Sequence, residues 1–263
     1  MHDPVIGNTQ AFAQWNNLIA DVLGSVGTET FPDRLEAALR FLAPFQMMNG
    51  FQYSSDGRAF DLYNEKSVGE RRIIVDQYLA GAYVLDPFYD AVRLDRQERL
   101  IVMRDLAPDD FRQSEYHHRH YASTSITDEI GFVLQLGKDR TGVLSLCRIG
   151  MTEPFSEPEI KRFSAVAGIV CRLSEKHWPD GRMASAGRVN PLPAPTIDHP
   201  LLTPRERETV MLILKGHSTA SIAMVLSLSP DTVKVHRRHI YAKLNISSQA
   251  ELFHTFLIDQ RHS

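Results

Sequence analysis

The sequence predicts two domains: an N-terminal α+β domain with an antiparallel sheet flanked by helices, and a C-terminal all-α domain of four helices. Three observations carry this. The 263 residues exceed the ~100–200 of one ordinary domain. The run from Pro179 to Pro200 holds five Pro and two Gly and shows no hydrophobic period, so it forms neither a helix nor a central strand. Charge also changes across that run: residues 1–180 carry a net −7 and residues 201–263 a net +3. The expected organisation is a sensor and dimerisation domain over 1–178, a linker over 179–200 and a DNA-binding domain over 201–263, since a basic module on an acidic body suits a nucleic-acid-binding head.

The overall composition, 43% hydrophobic and 23% charged, excludes disordered and fibrous classes. The longest apolar run, Ala165 to Cys171, is far short of the ~20 residues of a membrane span. The opening Met1-His2-Asp3-Pro4 has neither a basic nor an apolar segment. Cys147 and Cys171 lie inside apolar patterns and read as buried thiols. A cytoplasmic protein with no cofactor is expected.

In the first domain, Phe12, Trp15, Ile19, Val22 and Val26 share one helical face, and Leu35, Ala38, Leu39 and Leu42 make a second helix after Pro32. Residues 46–53 and 59–64, separated by Ser54-Ser55-Asp56-Gly57, read as a hairpin. A helix over about 69–79 leads to Leu85-Asp86-Pro87-Phe88-Tyr89. Phe132, Leu134 and Leu136 alternate, as do Val143, Ser145, Cys147 and Ile149, across the turn 137–142. Ser156 and Glu159 form a capping box for a long helix through Ile160, Phe163, Ala167, Val170 and Leu173. Helices flanking one sheet make a three-layer domain.

In the second domain, Thr203-Pro204-Arg205-Glu206 caps a helix that stops at Gly216. Ser218 caps a short helix, Ser227-Leu228-Ser229 turns, and Ser229 with Pro230 starts a third, basic helix. Ser248 and Glu251 open a fourth, carrying Ala250, Phe253, Phe256 and Leu257. Two short helices around a tight turn are helix-turn-helix architecture. At ~100° per residue, Val233, His236, Ile240 and Leu244 of the third helix share one side. Lys234, Val235, Arg238, His239 and Ala242 face the other, with Thr232, Arg237 and Lys243 towards the flanks. Cationic donors beside a small aliphatic group suit the edges of bases in a major groove, and flank cations suit phosphates. The bland alternative is a solvated basic face.

Residues 202–258 resemble the LuxR-type helix-turn-helix domain. The resemblance rests on Leu202-Thr203-Pro204-Arg205-Glu206, Gly216, Ile222-Ala223, Leu226, Ser229, Thr232-Val233-Lys234, His236, Ile240, Lys243-Leu244 and Glu251. It implies a third helix in the major groove, a fourth that dimerises, and a homodimer on a pseudo-palindromic duplex DNA operator. Thr219-Ala220-Ser221, His239 and Asn245 depart from the family's usual residues, which bears on the target sequence. No acidic pair and strand-terminal Asp and Lys of a phosphorylated receiver is found, and no GxxxxGK[ST] phosphate loop.

The first domain resembles in part the acyl-homoserine-lactone (autoinducer) binding domain, a sandwich of the GAF/PAS-like kind. Tyr78, Tyr83 and Leu85-Asp86-Pro87 are similar to the family's tract in which the Asp accepts from the ligand amide, and Asp128-Glu129-Ile130-Gly131-Phe132 is similar to its strand entry. The family's lactone-clamping Trp, Tyr and Trp correspond here to Ile73, Gln77 and Met103. The resemblance therefore implies a diverged sensor of the solo type, whose small molecule is not a standard acyl-homoserine lactone. Asp86 reads equally as a helix cap. Tyr53, Tyr63, Tyr78, Tyr83 and Tyr89 read either as a pocket around an amide or amine, or as half-buried residues with wet hydroxyls. The alternative for the whole domain is dimerisation or partner binding without a ligand.

His117 and His120 stand one turn apart in Tyr116-His117-His118-Arg119-His120-Tyr121. Two ligands beside an Arg make no tetrahedral site, and a solvated helix face is the expectation. No Gly-x-Ser-x-Gly elbow or Cys–His pair is found, so no enzyme and no catalytic or metal residues are expected.

Overall fold

A computed structural model describes residues 9–64, 71–93, 99–150, 153–179 and 197–257. Residues 180–196 of the expected linker lie outside the described residues. Two helices come first, α1 (Thr9–Gly24) and α2 (Phe31–Leu42). Pro32 and Asp33 suit the first turn of α2, and Leu35, Ala38, Leu39 and Leu42 are all buried at helical spacing. In α1 only Val22 is fully buried, and Phe12, expected on the inner face, is exposed. The hairpin β1 (Met47–Ser54) and β2 (Ala59–Tyr63) turns through Gly57, whose φ of 86° lies in the left-handed region.

The expected helix over 69–79 is a π-helical segment, Arg72–Asp76, followed by one α turn, Gln77–Leu79. Then come α3 (Pro87–Arg93), β3 (Leu100–Val102), β4 (Ile126–Gln135), β5 (Arg140–Ile149) and α4 (Glu157–His177). The three-residue β3 is too short to show alternation in the sequence. The α4 capping box of Ser156 and Glu159 is present. All strands pair antiparallel in the order β2-β1-β5-β4-β3.

The pleat sends residues to two cores. Met48, Ile130, Phe132, Leu134, Leu144 and Leu146 meet α2 and α4 on one face. Met47, Phe51, Tyr53, Val133, Val143 and Cys147 face a layer of short helical segments that includes α3. Both cysteines are buried free thiols. A Cβ on Gly131 of β4 would stand 2.6 Å from Val143 Cγ1 and 3.0 Å from Phe88, so glycine is what lets α3 lie on the sheet.

The C-terminal region is helical: α5 (Pro204–Lys215), α6 (Thr219–Leu226), α7 (Pro230–Leu244) and α8 (Gln249–Leu257). Their common core includes Val210, Ile213, Ile222, Val233, Ile240 and Phe256. Among the described residues no helix is long and apolar enough to cross a membrane.

Candidate nucleic-acid interface and sensor site

Local chemistry starts and stops each helix of the C-terminal region. Ser218 Oγ accepts from Ser221 N at 3.1 Å, and Ser229 Oγ accepts from Thr232 N at 3.1 Å. Between them Ser227 takes a left-handed φ of 53°, which folds the chain sharply from α6 towards α7. Val233 and Ile240 anchor α7 from below and are fully buried. Lys234, Val235, Arg238, His239 and Ala242 are exposed on its other side, and Thr232, His236 and Arg237 are half-buried. Lys234 makes only a surface ion pair with Asp231, at 3.0 Å, weak enough in water to exchange for a DNA group. Arg237 and Arg238 have no hydrogen bond or ion pair among the described residues.

Lys243 is placed differently. Its Nζ sits 2.6 and 2.9 Å from the two carboxylate oxygens of Glu206, which also accept from the backbone N–H and hydroxyl of Thr203. Burial alone would raise the Glu206 carboxyl, but Lys243 and Thr203 outweigh it and hold it down at about 2. The α5 capping box is thus tied to the far end of α7, a role that no local pattern signals for Lys243.

In the N-terminal region the structure brings Tyr53, Tyr78, Tyr83 and Tyr89 together, all buried. Tyr53 Oη lies 2.6 Å from Tyr78 Oη, and Tyr78 Oη donates to Asp86 Oδ2 at 2.7 Å. The other Asp86 oxygen accepts from Phe88 N at 2.8 Å, so Asp86 does cap α3 while it faces the tyrosines. Tyr83 and Tyr89 both donate to the carbonyl of Gly57, at 3.0 and 3.1 Å. Their hydroxyls are not in water. Tyr63 is not part of this group: it points into the opposite core, with its ring 6.1 Å from that of Trp178, because a bulge at Leu62 of β2 breaks the alternation and turns it there.

Residues that the sequence reading did not assign to the site complete it. Glu129 is buried and accepts from Tyr121 Oη at 2.5 Å. Tyr116 and Tyr121 are buried, and His117 and His120 half-buried, so the expected solvated face is confined to His118 and Arg119. The tract His117–Tyr121 is π-helical, which rotates side chains off the 100° wheel. Burial raises Asp86 to about 6, against its hydrogen bonds. Burial and the Asp86 charge raise Glu129 to about 7. Burial drives His120 down to about 4.

The two regions touch. Lys215 Nζ, at the end of α5, is 2.5 Å from Asp90 of α3. Asp110 N donates to Gly216 O at 2.9 Å, Asp109 accepts from Ser218 N at 2.9 Å, and the Ser218 hydroxyl donates to the same carboxylate. Gly216, with φ at 91°, approaches Phe111 so closely that a Cβ would lie 2.7 Å from its Cα. The Arg119 guanidinium covers the ring of Phe253 in α8 at 4.8 Å.

Residues 200–256 match the family described as bacterial regulatory proteins, luxR family. A protein of Aeromonas salmonicida named as an HTH-type transcriptional regulator in the exeN 3′ region is 32% identical over 156 residues, 54% of this chain and 79% of that protein. The monoamine regulon transcriptional regulator of Klebsiella aerogenes is 28% identical over 182 residues, 67% of this chain and 69% of its own length. Among solved structures, the VqsR LBD domain from Pseudomonas aeruginosa is similar with 26% identity and a TM-score of 0.53, over 62% of this chain and 96% of that one.

Proposed function

The chain belongs to the luxR family of bacterial regulatory proteins, which are transcriptional regulators and not enzymes, and from that premise we propose that it binds a pseudo-palindromic DNA operator as a homodimer under the control of a small molecule other than a standard acyl-homoserine lactone. The domain limits proposed are 1–178 for sensing and dimerisation and 201–263 for DNA, with the linker between. On α7, Lys234, Val235 and Arg238 read bases, with His239 beside them, and Thr232 and Arg237 meet phosphates. Lys243 supports that surface through Glu206.

The observation that carries the sensing half is a one-turn connection. Asp86 holds the first turn of α3, and Asp90, one turn later, holds Lys215 of the DNA-binding region. A ligand that takes the Asp86 carboxylate from Phe88 N or Tyr78 loosens or shifts α3, and the shift reaches α5 through a 2.5 Å ion pair. Gln77 is exposed and Met103 buried at two positions where lactone-clamping aromatics would stand. The alternative, a domain that only dimerises, is favoured by Phe12 and Leu23, exposed on one side of α1.

The experiment is selection of duplexes by the full chain from a random pool, followed by affinity measurements on the selected site and on random DNA. Half-sites about one helical turn apart are expected. Arg238→Ala is expected to cost about 1–3 kcal/mol on the selected site and much less on random DNA. Equal losses on both duplexes would remove Arg238 as a base reader.

A further inference from the structure

We propose that the sensor site takes an organic ammonium ion, a primary amine with an apolar tail, bound between the carboxylates of Asp86 and Glu129. The inference rests on the reading of the N-terminal domain as a small-molecule sensor. Both acids are 7% exposed, on the same side of the sheet, and the charge of Asp86 raises Glu129. Their hydrogen-bond donors are neutral: Tyr78 Oη and Phe88 N for Asp86, and Tyr121 Oη for Glu129. Among the described residues neither has an ion-pair partner, and His120, held near 4 by burial, is uncharged at neutral pH. Two carboxylates in a low-dielectric interior resist ionising together, and a cation between them removes that conflict.

A separate observation points to a ligand. Tyr116 Oη is buried close enough to Asp86 to interact with it, yet it makes no hydrogen bond of normal geometry. A primary ammonium has three N–H donors, and Asp86, Glu129 and Tyr116 present three acceptors. Phe51, Val133 and Val143 on the same sheet face suit an apolar tail. An acyl-homoserine lactone fits less well, because its amide has one donor and its carbonyls would face a second carboxylate. Both walls contain π-helical segments, Arg72–Asp76 before Tyr78 and His117–Tyr121, a rare geometry that recurs at functional sites. A groove of about 530 Å³, open to solvent and lined in part by Met103, Phe111, His117 and Tyr121, reaches the tyrosine bonded to Glu129.

The test is calorimetric titration of the full chain, near neutral pH, with 2-phenylethylamine and with its neutral N-acetyl derivative. The amine is expected to bind at least about tenfold more tightly than the amide. Glu129→Gln is expected to weaken the amine about tenfold while leaving the thermal midpoint no lower, and Asp86→Asn to weaken it likewise. The inference is overturned if the amide binds as tightly as the amine, if Glu129→Gln retains full amine affinity, or if 2-phenylethylamine, hexylamine and cadaverine all fail to bind. Mass spectrometry of small molecules retained through purification separates the two readings. A neutral molecule lost from Asp86→Asn overturns the amine and keeps the sensor. If no molecule is retained, no amine binds, and Asp86→Asn controls DNA exactly as wild type does, both fall.

Discussion

Two buried carboxylates of this protein, Glu206 and Glu129, are shifted in opposite directions, and the difference lies in what each one touches. Glu206 has an ammonium and two donors, and sits at about 2, below its ordinary 4.5. Its stabilising contribution is therefore complete above about 4.5 and is lost as pH falls towards 2. Thermal unfolding of wild type and Glu206→Gln is expected to show the variant less stable at neutral pH, with the gap closing over that window. Glu129 is the reverse case, raised to about 7 by burial and by Asp86. Its charged form penalises the fold at alkaline pH, and the penalty fades as pH drops through 7 towards 4.5. Glu129→Gln is thus expected to raise the unfolding midpoint at pH above 7 and to change little near the ordinary carboxylate range. A midpoint shift equal at both ends would show that its burial carries no electrostatic cost.

Among the elements, β4 and α3 depend on one another. Gly131 leaves room for Phe88 and Val143, and Phe88 supplies the N–H that holds Asp86. Gly131→Ala is expected to destabilise the chain by about 1–3 kcal/mol, as overpacking of a tight core does, and to displace the start of α3. Denaturant unfolding checks the first part; a cost near zero would mean that Val143 moves aside freely. Helix α7 depends more on its own sequence. Ser229→Ala removes its N-cap and is expected to cost about 1 kcal/mol, with the buried Val233 and Ile240 keeping the helix in place. The boundaries of this helix and its exposed stripe were legible because capping residues and a 3.6-residue period are local signals. The tract around Tyr116 and Tyr121 was not legible, because a π-helical turn changes which residues share a face.

At the scale of the molecule, the DNA-binding region is held to the sensor region through Asp90–Lys215, Asp109–Ser218 and the close approach of Gly216 to Phe111. Ser218 keeps its own cap on Ser221 when Asp109 is removed, so Asp109→Ala is expected to leave α6 folded and free it from the contact. Hydrogen exchange at the amides of residues 216–221 is expected to quicken, and operator affinity to change with it. An exchange pattern identical to wild type would show that this contact does not hold the two regions together. Nothing in the local sequence around Asp109 signals this contact, because its partner Ser218 lies far away in the chain.

The sequence by itself determined the helical C-terminal region with its caps, its turn and its outward basic stripe, the hairpin, the long strand pair and the three-layer sheet. These follow from hydrophobic period, capping chemistry and charge, which act over a few residues. Tertiary structure alone decided that Tyr63 faces away from Asp86, that Glu129 and Tyr116 stand beside it, that Lys243 belongs to Glu206, and that Asp90 reaches Lys215. Each of those joins residues far apart in the chain or depends on a bulge or a π turn, and such contacts are set by the packing of whole layers.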